Sequence, residues 1–229
     1  MQLAPLVKEL ESDGTASFFF LHDPYEVKPP SGYEEFFGGP PYYRFIIPSD
    51  ADSETVDVLE RIRYFPQLET PEMTMRELMT YGVAKTDDSA RQTLLYLYEV
   101  MDTEGPFDGI IGYSEGATIA STLLLHEQMR DKNEGRIPVL KCALFFGGWP
   151  PMRPTLDGIV LADESDLMID VPTVHIGELL LSVKILRYSL SFSWISGSIS
   201  PWKHCFVQRL RPGYSLHLRP RKGSHAAPG

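Results

Sequence analysis

Two cysteines in 229 residues, Cys142 and Cys205, are too few and too far apart for a disulfide framework, a paired zinc site or a thioredoxin motif. A reducing compartment is the default. No run approaches the roughly 18 apolar residues of a membrane span, and the opening "MQLAPLVKELESDG" carries Lys8, Glu9, Glu11 and Asp13 where a signal peptide needs an apolar core. The expected location is the cytoplasm, with no membrane partner. Basic charge is also scarce: the formal net charge is −10, and the only basic cluster lies near the C-terminus. The body therefore has no electrostatic footprint for nucleic acid. Neither G-x-x-x-x-G-K nor G-x-G-x-x-G occurs, which removes the P-loop and Rossmann readings. No cofactor or metal is expected.

Acidic charge runs out along the chain. Residues 1 to 177 hold 30 acidic and 13 basic residues, whereas residues 178 to 229 hold one acidic residue, Glu178, against eight basic ones. No Asp follows Asp170, and the last stretch has nine serines. This divides the chain into a body, 1–178, and an atypical basic, Ser-rich tail, 179–229, expected to pack poorly or stay partly disordered.

The body alternates helical and strand patterns. Residues 2 to 12 and 86 to 105 have helical spacing, the second with an Asp or Ser cap and a stop at Gly105-Pro106. "SETVDVLERIRYF" (53 to 65) reads as a helix capped by Ser53, and "MRELM" (75 to 79) as a shorter one. "TASFFFLHDP" (15 to 24) is a buried strand ending in a Pro turn. From Pro24 to Pro48 the chain is rich in Pro, Gly and aromatics. This predicts a long ordered loop, whose stretch from Tyr33 to Phe45 either packs on the body or lines an acyl pocket.

The decisive unit is "FDGIIGYSEGATIASTLLLHEQMRDK" followed by "RIPVLKCALFFGG". A strand, a helix and a second buried strand joined by a crossover of this length make a right-handed βαβ unit with parallel strands. "DVPTVHIGE" (170 to 178) adds another core strand. The fold class is α/β, an open sandwich of helices on a mostly parallel sheet.

Gly112-Tyr113-Ser114-Glu115-Gly116 fits G-x-S-x-G at the junction of strand and helix, the context of a nucleophile elbow. The flanking glycines remove side chains that would strike the neighbouring strand and helix, and Ala117 keeps the next turn small. The helix start aims backbone N–H groups at the site, so the N–H of Glu115 is a candidate oxyanion donor. A Ser hydroxyl needs a base to take its proton. The plainer alternative is a tight turn in which Ser114 only caps the helix.

The blocks "GPFDGIIGYSEGATIASTLL", "EFFGGPPYYRF", "ALFFGGWPP" and "VPTVHIGE" together resemble the fungal family of serine hydrolases, an α/β-hydrolase group, over about residues 1 to 178. The resemblance implies a three-layer sandwich and a catalytic Ser114 with Glu115 as oxyanion donor. It also implies an ester or acyl-thioester substrate, and members near this one sit beside polyketide synthases, so a synthase carrier protein is an expected partner.

The family pattern also has an N-terminal strand ending in a His-Gly loop, an Asp after the strand resembling "VPTVHIGE", and a later Gly-His base. Met1 falls inside the helix that follows that first strand, so the sheet is expected to be incomplete at both ends, with exposed edges.

Substitutes for the acid and base are few. Glu178 is the only acid just past the last strand, and His225, in "RKGSHAAPG", follows a Lys-Gly pair as the family's base does. His22 follows the first strand, His126 lies about three turns beyond Ser114, His175 sits within a strand, and His204 and His217 have no supporting context. Codons for the family's Phe-Asp-His-Gly-Lys-Gly-His-Thr segment, read one nucleotide early, yield Leu-Arg-Pro-Arg-Lys-Gly-Ser-His, the string from Leu218 to His225. A shifted reading frame beyond about Glu178 is the expected origin of the tail. Three functions follow: a serine hydrolase, an inactive homologue or truncated gene product that binds a partner, and a flavodoxin-like module that would carry a flavin.

Overall fold

The computed structural model describes residues 3–28, 34–35, 38–47, 66–83, 86–176 and 204–210. Helix α1 (Ala4–Ser12) leads into β1 (Ala16–Leu21). Short strands β2 (Tyr25–Val27) and β3 (Tyr42–Arg44) pair with each other. Helices α2 (Pro71–Val83) and α3 (Asp87–Glu104) precede β4 (Gly109–Tyr113), α4 (Glu115–Glu134), β5 (Cys142–Phe146), β6 (Thr173–Ile176) and β7 (His204–Leu210). The helix expected over 53 to 65 and its Ser53 cap lie outside the described residues, as do Glu178, His217 and His225.

The main sheet has the order β1-β7-β4-β5-β6. β4, β5 and β6 are parallel, as the βαβ reading requires, with Ile111 opposite Leu144 and Leu144 opposite Val174. β7 runs antiparallel to both β1 and β4. β1 thus points the same way as β4, and the sheet is mostly parallel with one reversed strand.

Alternation along β4 sorts its side chains between two cores. Ile110 joins Leu94, Leu97, Ile119 and Leu123 of α3 and α4, while Ile111 joins Leu3 and Val7 at α1. Helices cover both faces, which is the three-layer arrangement. Each fully buried Ile or Leu here contributes about 1.5–3 kcal/mol. α4 is buried along almost its whole first half, Gly116 to Leu125, so it lacks the polar face of a surface helix. Its threonines are satisfied internally: Thr118 Oγ1 accepts from Trp149 N–H (2.9 Å), and Thr122 Oγ1 accepts from Met152 N–H (2.9 Å) and donates to Thr118 O (2.7 Å). These bonds hold the loop after β5 against the helix.

Several local expectations are corrected. α2 extends well beyond "MRELM", starting at Pro71, a residue tolerated in the first helical turn because its missing N–H has no partner there. The N-cap of α3 is Thr86, without a side-chain capping bond, rather than an Asp or Ser. Residues 204–210, within the stretch read as an atypical tail, form β7, which pairs with β4.

Candidate active site

The G-x-S-x-G segment turns from β4 into α4 in a single residue. Ser114 has φ 54° and ψ −124°, a conformation that an L-residue adopts at a cost of about 1–3 kcal/mol. Its N–H is held by Phe146 O at 2.7 Å, so the sheet ladder continues past β4 up to the strained residue. The serine makes no side-chain capping bond to the helix. The simple N-cap reading therefore fails: the residue is held in an unfavourable backbone state without the hydrogen bond that would explain it.

Steric demand accounts for the neighbouring small residues. A Cβ on Gly112 would lie 2.5 Å from Gly116 O and 2.6 Å from Ala117 Cα, both backbone atoms of the first turn of α4. A Cβ on Gly148, after β5, would lie 2.5 Å from the Ala117 Cβ. The helix start is thus pressed against both β4 and the end of β5, and only glycine fits at either contact.

Glu115 is the first residue of α4, where backbone N–H groups have no acceptor within the helix. Its side chain has a role that sequence reasoning missed. Oε2 accepts from Arg44 Nε (3.1 Å) and Nη2 (2.8 Å), and Oε1 accepts from Phe45 N–H (2.8 Å) and Ile46 N–H (3.2 Å). Both partners of the ion pair are largely buried. On the other side of this segment Ser89 Oγ accepts from Ile47 N–H (3.0 Å) and donates to Ile47 O (2.7 Å), and Thr93 Oγ1 donates to Phe45 O. Residues 44–47 are therefore clamped between α3 and the elbow. An acid just after the serine was visible, but nothing local in the sequence pairs it with an arginine 71 positions earlier.

The aromatic loop divides accordingly. Tyr42 and Phe45 are fully buried, with Tyr42 donating to Gly38 O, so these two rings pack in the body and do not line an acyl pocket.

The histidines are dispersed. His126 Nδ1 is 2.8 Å from the Tyr98 hydroxyl between α3 and α4, and burial and the nearby Arg130 and Arg91 depress its pKa. Twelve residues of helix, about 18 Å, separate it from Ser114. His22, just past β1, stacks edge-on against Tyr43 at 5.7 Å. His175 lies on β6 against Phe145, with its Nε2 3.2 Å from Thr173 Oγ1. β1, which His22 follows, and β6, which holds His175, are each two places from β4 in the sheet, about 10 Å away.

His204, which had no supporting context in sequence, takes a different place. It opens β7 directly opposite Gly112, two residues before Ser114, on the strand adjacent to β4. Among the described residues no cluster of three or more His, Cys, Asp or Glu side chains is arranged to hold a metal ion. No helix of the described residues is long and apolar enough to cross a membrane.

Comparison with known proteins agrees with this geometry. The family model described as serine hydrolase (FSH1) matches residues 2–179. The chain belongs to this serine hydrolase family. The chain is 33% identical over 97 residues to a hydrolase phiM from a fungal species, covering 42% of this chain and 46% of that protein. It is 25% identical over 177 residues to hydrolase phiM of Talaromyces stipitatus, covering 76% of this chain and 58% of that one. An esterase alnB of Emericella nidulans is 36% identical over 70 residues, 30% of this chain and 23% of that protein. The chain thus spans about half the length of the two phiM hydrolases. No solved structure matches it significantly. Membership of the serine hydrolase family sets aside the flavodoxin-like reading.

Proposed function

We propose that the chain hydrolyses an ester or thioester through an acyl-enzyme on Ser114. The observation that carries this reading is the backbone of Ser114, strained at the strand-to-helix turn with its side chain unused by the helix cap. The Ser114 hydroxyl attacks the carbonyl carbon, a base removes the hydroxyl proton, and the carbonyl electrons move onto oxygen. The Glu115 N–H, at the positive end of α4, stabilises that oxyanion. Collapse expels the alcohol or thiol with the proton, and water then releases the acid by the same steps in reverse order.

The base we assign is His204. The backbone register supports it, because an antiparallel β7 starts at the edge of the sheet where β4 ends. An acyl thioester on a polyketide synthase carrier is the substrate form favoured by the sequence resemblance, and the names of the relatives, hydrolase and esterase, support the wider class.

The test is covalent labelling of the full chain with a fluorophosphonate probe, followed by turnover of p-nitrophenyl and S-acyl substrates. Labelling is expected on Ser114 and lost in Ser114→Ala, while His204→Ala slows it at least 100-fold, in line with general-base contributions of about 10²–10⁴. Absence of labelling in protein with native circular dichroism overturns hydrolysis. Normal labelling in His204→Ala overturns only the base.

A further inference from the structure

A carboxylate on the residue after the nucleophile sets a problem in electrostatics. Under the acyl-enzyme reading of Ser114, on which this inference rests, negative charge develops on the carbonyl oxygen beside the Glu115 N–H. The side chain of that same residue carries a full negative charge only a few bonds from its N–H. Like charges this close repel, most strongly where water is scarce, and the Glu115 side chain is only 14% exposed.

Arg44 answers that charge. Its Nε and Nη2 donate to Glu115 Oε2 at 3.1 and 2.8 Å, a planar fork against one carboxylate oxygen. The other oxygen accepts from Phe45 and Ile46 N–H, so the carboxylate is tied to residues 44–46. Ser89 and Thr93 of α3 hold that segment from its other side. The elbow itself leaves Glu115 little freedom, because Ala117 N–H donates to Ser114 O at 2.9 Å and closes the first turn across it. A change in the pair is therefore felt at the oxyanion donor.

We propose that Arg44 is a positioning residue for the reaction at Ser114: its guanidinium holds and neutralises the Glu115 side chain, so that the Glu115 N–H serves the oxyanion without an opposing charge beside it. This electrostatic role differs from a mechanical brace. If the ion pair only braced the loop, breaking both sides would be no better than breaking one. If charge matters, loss of the arginine alone is the harmful change, since it leaves a partly buried carboxylate uncompensated. Removing that carboxylate as well then relieves the harm. The oxyanion exists only around the transition state, so the effect falls on kcat and not on KM.

The experiment measures fluorophosphonate labelling of Ser114 and p-nitrophenyl acetate turnover in the full chain, per folded molecule by circular dichroism. It is run at pH 8, far above the ordinary carboxylate range near about 4. Arg44→Met is expected to lower the labelling rate and kcat about tenfold or more, with KM within about twofold, a smaller loss than the roughly 10²–10³ of deleting an oxyanion donor outright. Adding Glu115→Gln, which keeps the backbone N–H and removes the second charge, should recover about fivefold or more over Arg44→Met. Arg44→Lys keeps the charge without the fork and should stay within about threefold of the native rate. Native-rate labelling in Arg44→Met overturns the proposal, as does a double variant no faster than Arg44→Met or a loss confined to KM. Should Arg44→Met not fold, Arg44→Lys decides the matter, and slowing beyond that threefold overturns it. A native chain that takes no label overturns the acyl-enzyme reading and this inference together, whereas a labelled native chain matched by Arg44→Met overturns this inference alone.

Discussion

Glu115→Gln separates the two tasks of the residue after the serine, because it leaves the backbone N–H in place and changes only the clamp on residues 44–46. The amide oxygen still accepts from Phe45 and Ile46, whose N–H groups use Oε1 at 2.8 and 3.2 Å. The amide nitrogen then faces Arg44 Nε and Nη2 in place of Oε2, donor against donor. Two charge-assisted hydrogen bonds are lost, worth about 1.5–3 kcal/mol each. The pair is not fully buried, with side-chain exposures of 17% and 14%, and some rehydration of the guanidinium offsets the loss. The expected destabilisation is about 2–4 kcal/mol, a large fraction of the 5–15 kcal/mol typical of a domain. Urea denaturation followed by circular dichroism measures it. A cycle with Arg44→Met isolates the pair and should show a coupling of about 1–3 kcal/mol. A loss below about 0.5 kcal/mol, or a coupling near zero, refutes the claim that the carboxylate clamps this loop to the elbow.

Gly112→Ala places a methyl group on the backbone of Gly116 and Ala117; it should cost about 2–4 kcal/mol in denaturant titrations, at or beyond the usual range for overpacking, and should suppress probe labelling of Ser114. Ser114→Gly should do the reverse for stability, raising it by about 1 kcal/mol through relief of the φ 54° backbone, while labelling is lost. Glu127→Gln tests the buried carboxylate by pH. The Glu127 pKa is raised to about 7 from 4.5. Below about pH 4.5 both folded and unfolded chains are protonated there. As pH rises from 4.5 to 7 the unfolded chain ionises first, and native stability falls by at most about 3 kcal/mol. The variant should therefore match the native protein near pH 4.5 and exceed it by about 1–3 kcal/mol at pH 8; equal stability at both pH values contradicts the shift.

Much of the elbow was legible because its constraints are local. The spacing of Gly112 and Gly116 around Ser114, a strand pattern before and a helix pattern after are all set within about 20 residues, and each reflects a close contact between adjacent elements. The same holds for β5, whose apolar run signals a strand buried on both faces, whereas β6, expected as a core strand, is the edge of the sheet among the described residues, with His175 and Ile176 exposed. The Glu115–Arg44 clamp was hidden because it joins segments 71 residues apart, and any of the chain's arginines satisfies the charge rule equally well. Asp131 was hidden for a related reason. On a helical wheel it belongs to the charged run "EQMRDK", which normally marks a solvated face, and only the packing of residues 169–171 over the end of α4 buries it.

β7 was the least legible element, since its composition belongs to a tail unlike the body and its register depends on partners about 95 and 190 residues earlier. Its direction has a chemical consequence. A parallel strand in the place beside β4 would bring its last residue to the edge where Ser114 sits, whereas an antiparallel strand brings its first, His204. Shifting β7 by two residues toward its C-terminus would move the backbone of His204 by about 7 Å along the sheet. A one-residue slip would move it to the other face of the sheet. The assignment of His204 is thus inseparable from the pairing of Gly112 with it and of Leu21 with the same residue on β1. A disulfide between cysteines placed at the opposed pair Phe20 and Cys205, formed without loss of labelling at Ser114, is the outcome required if that pairing is the one that positions the base.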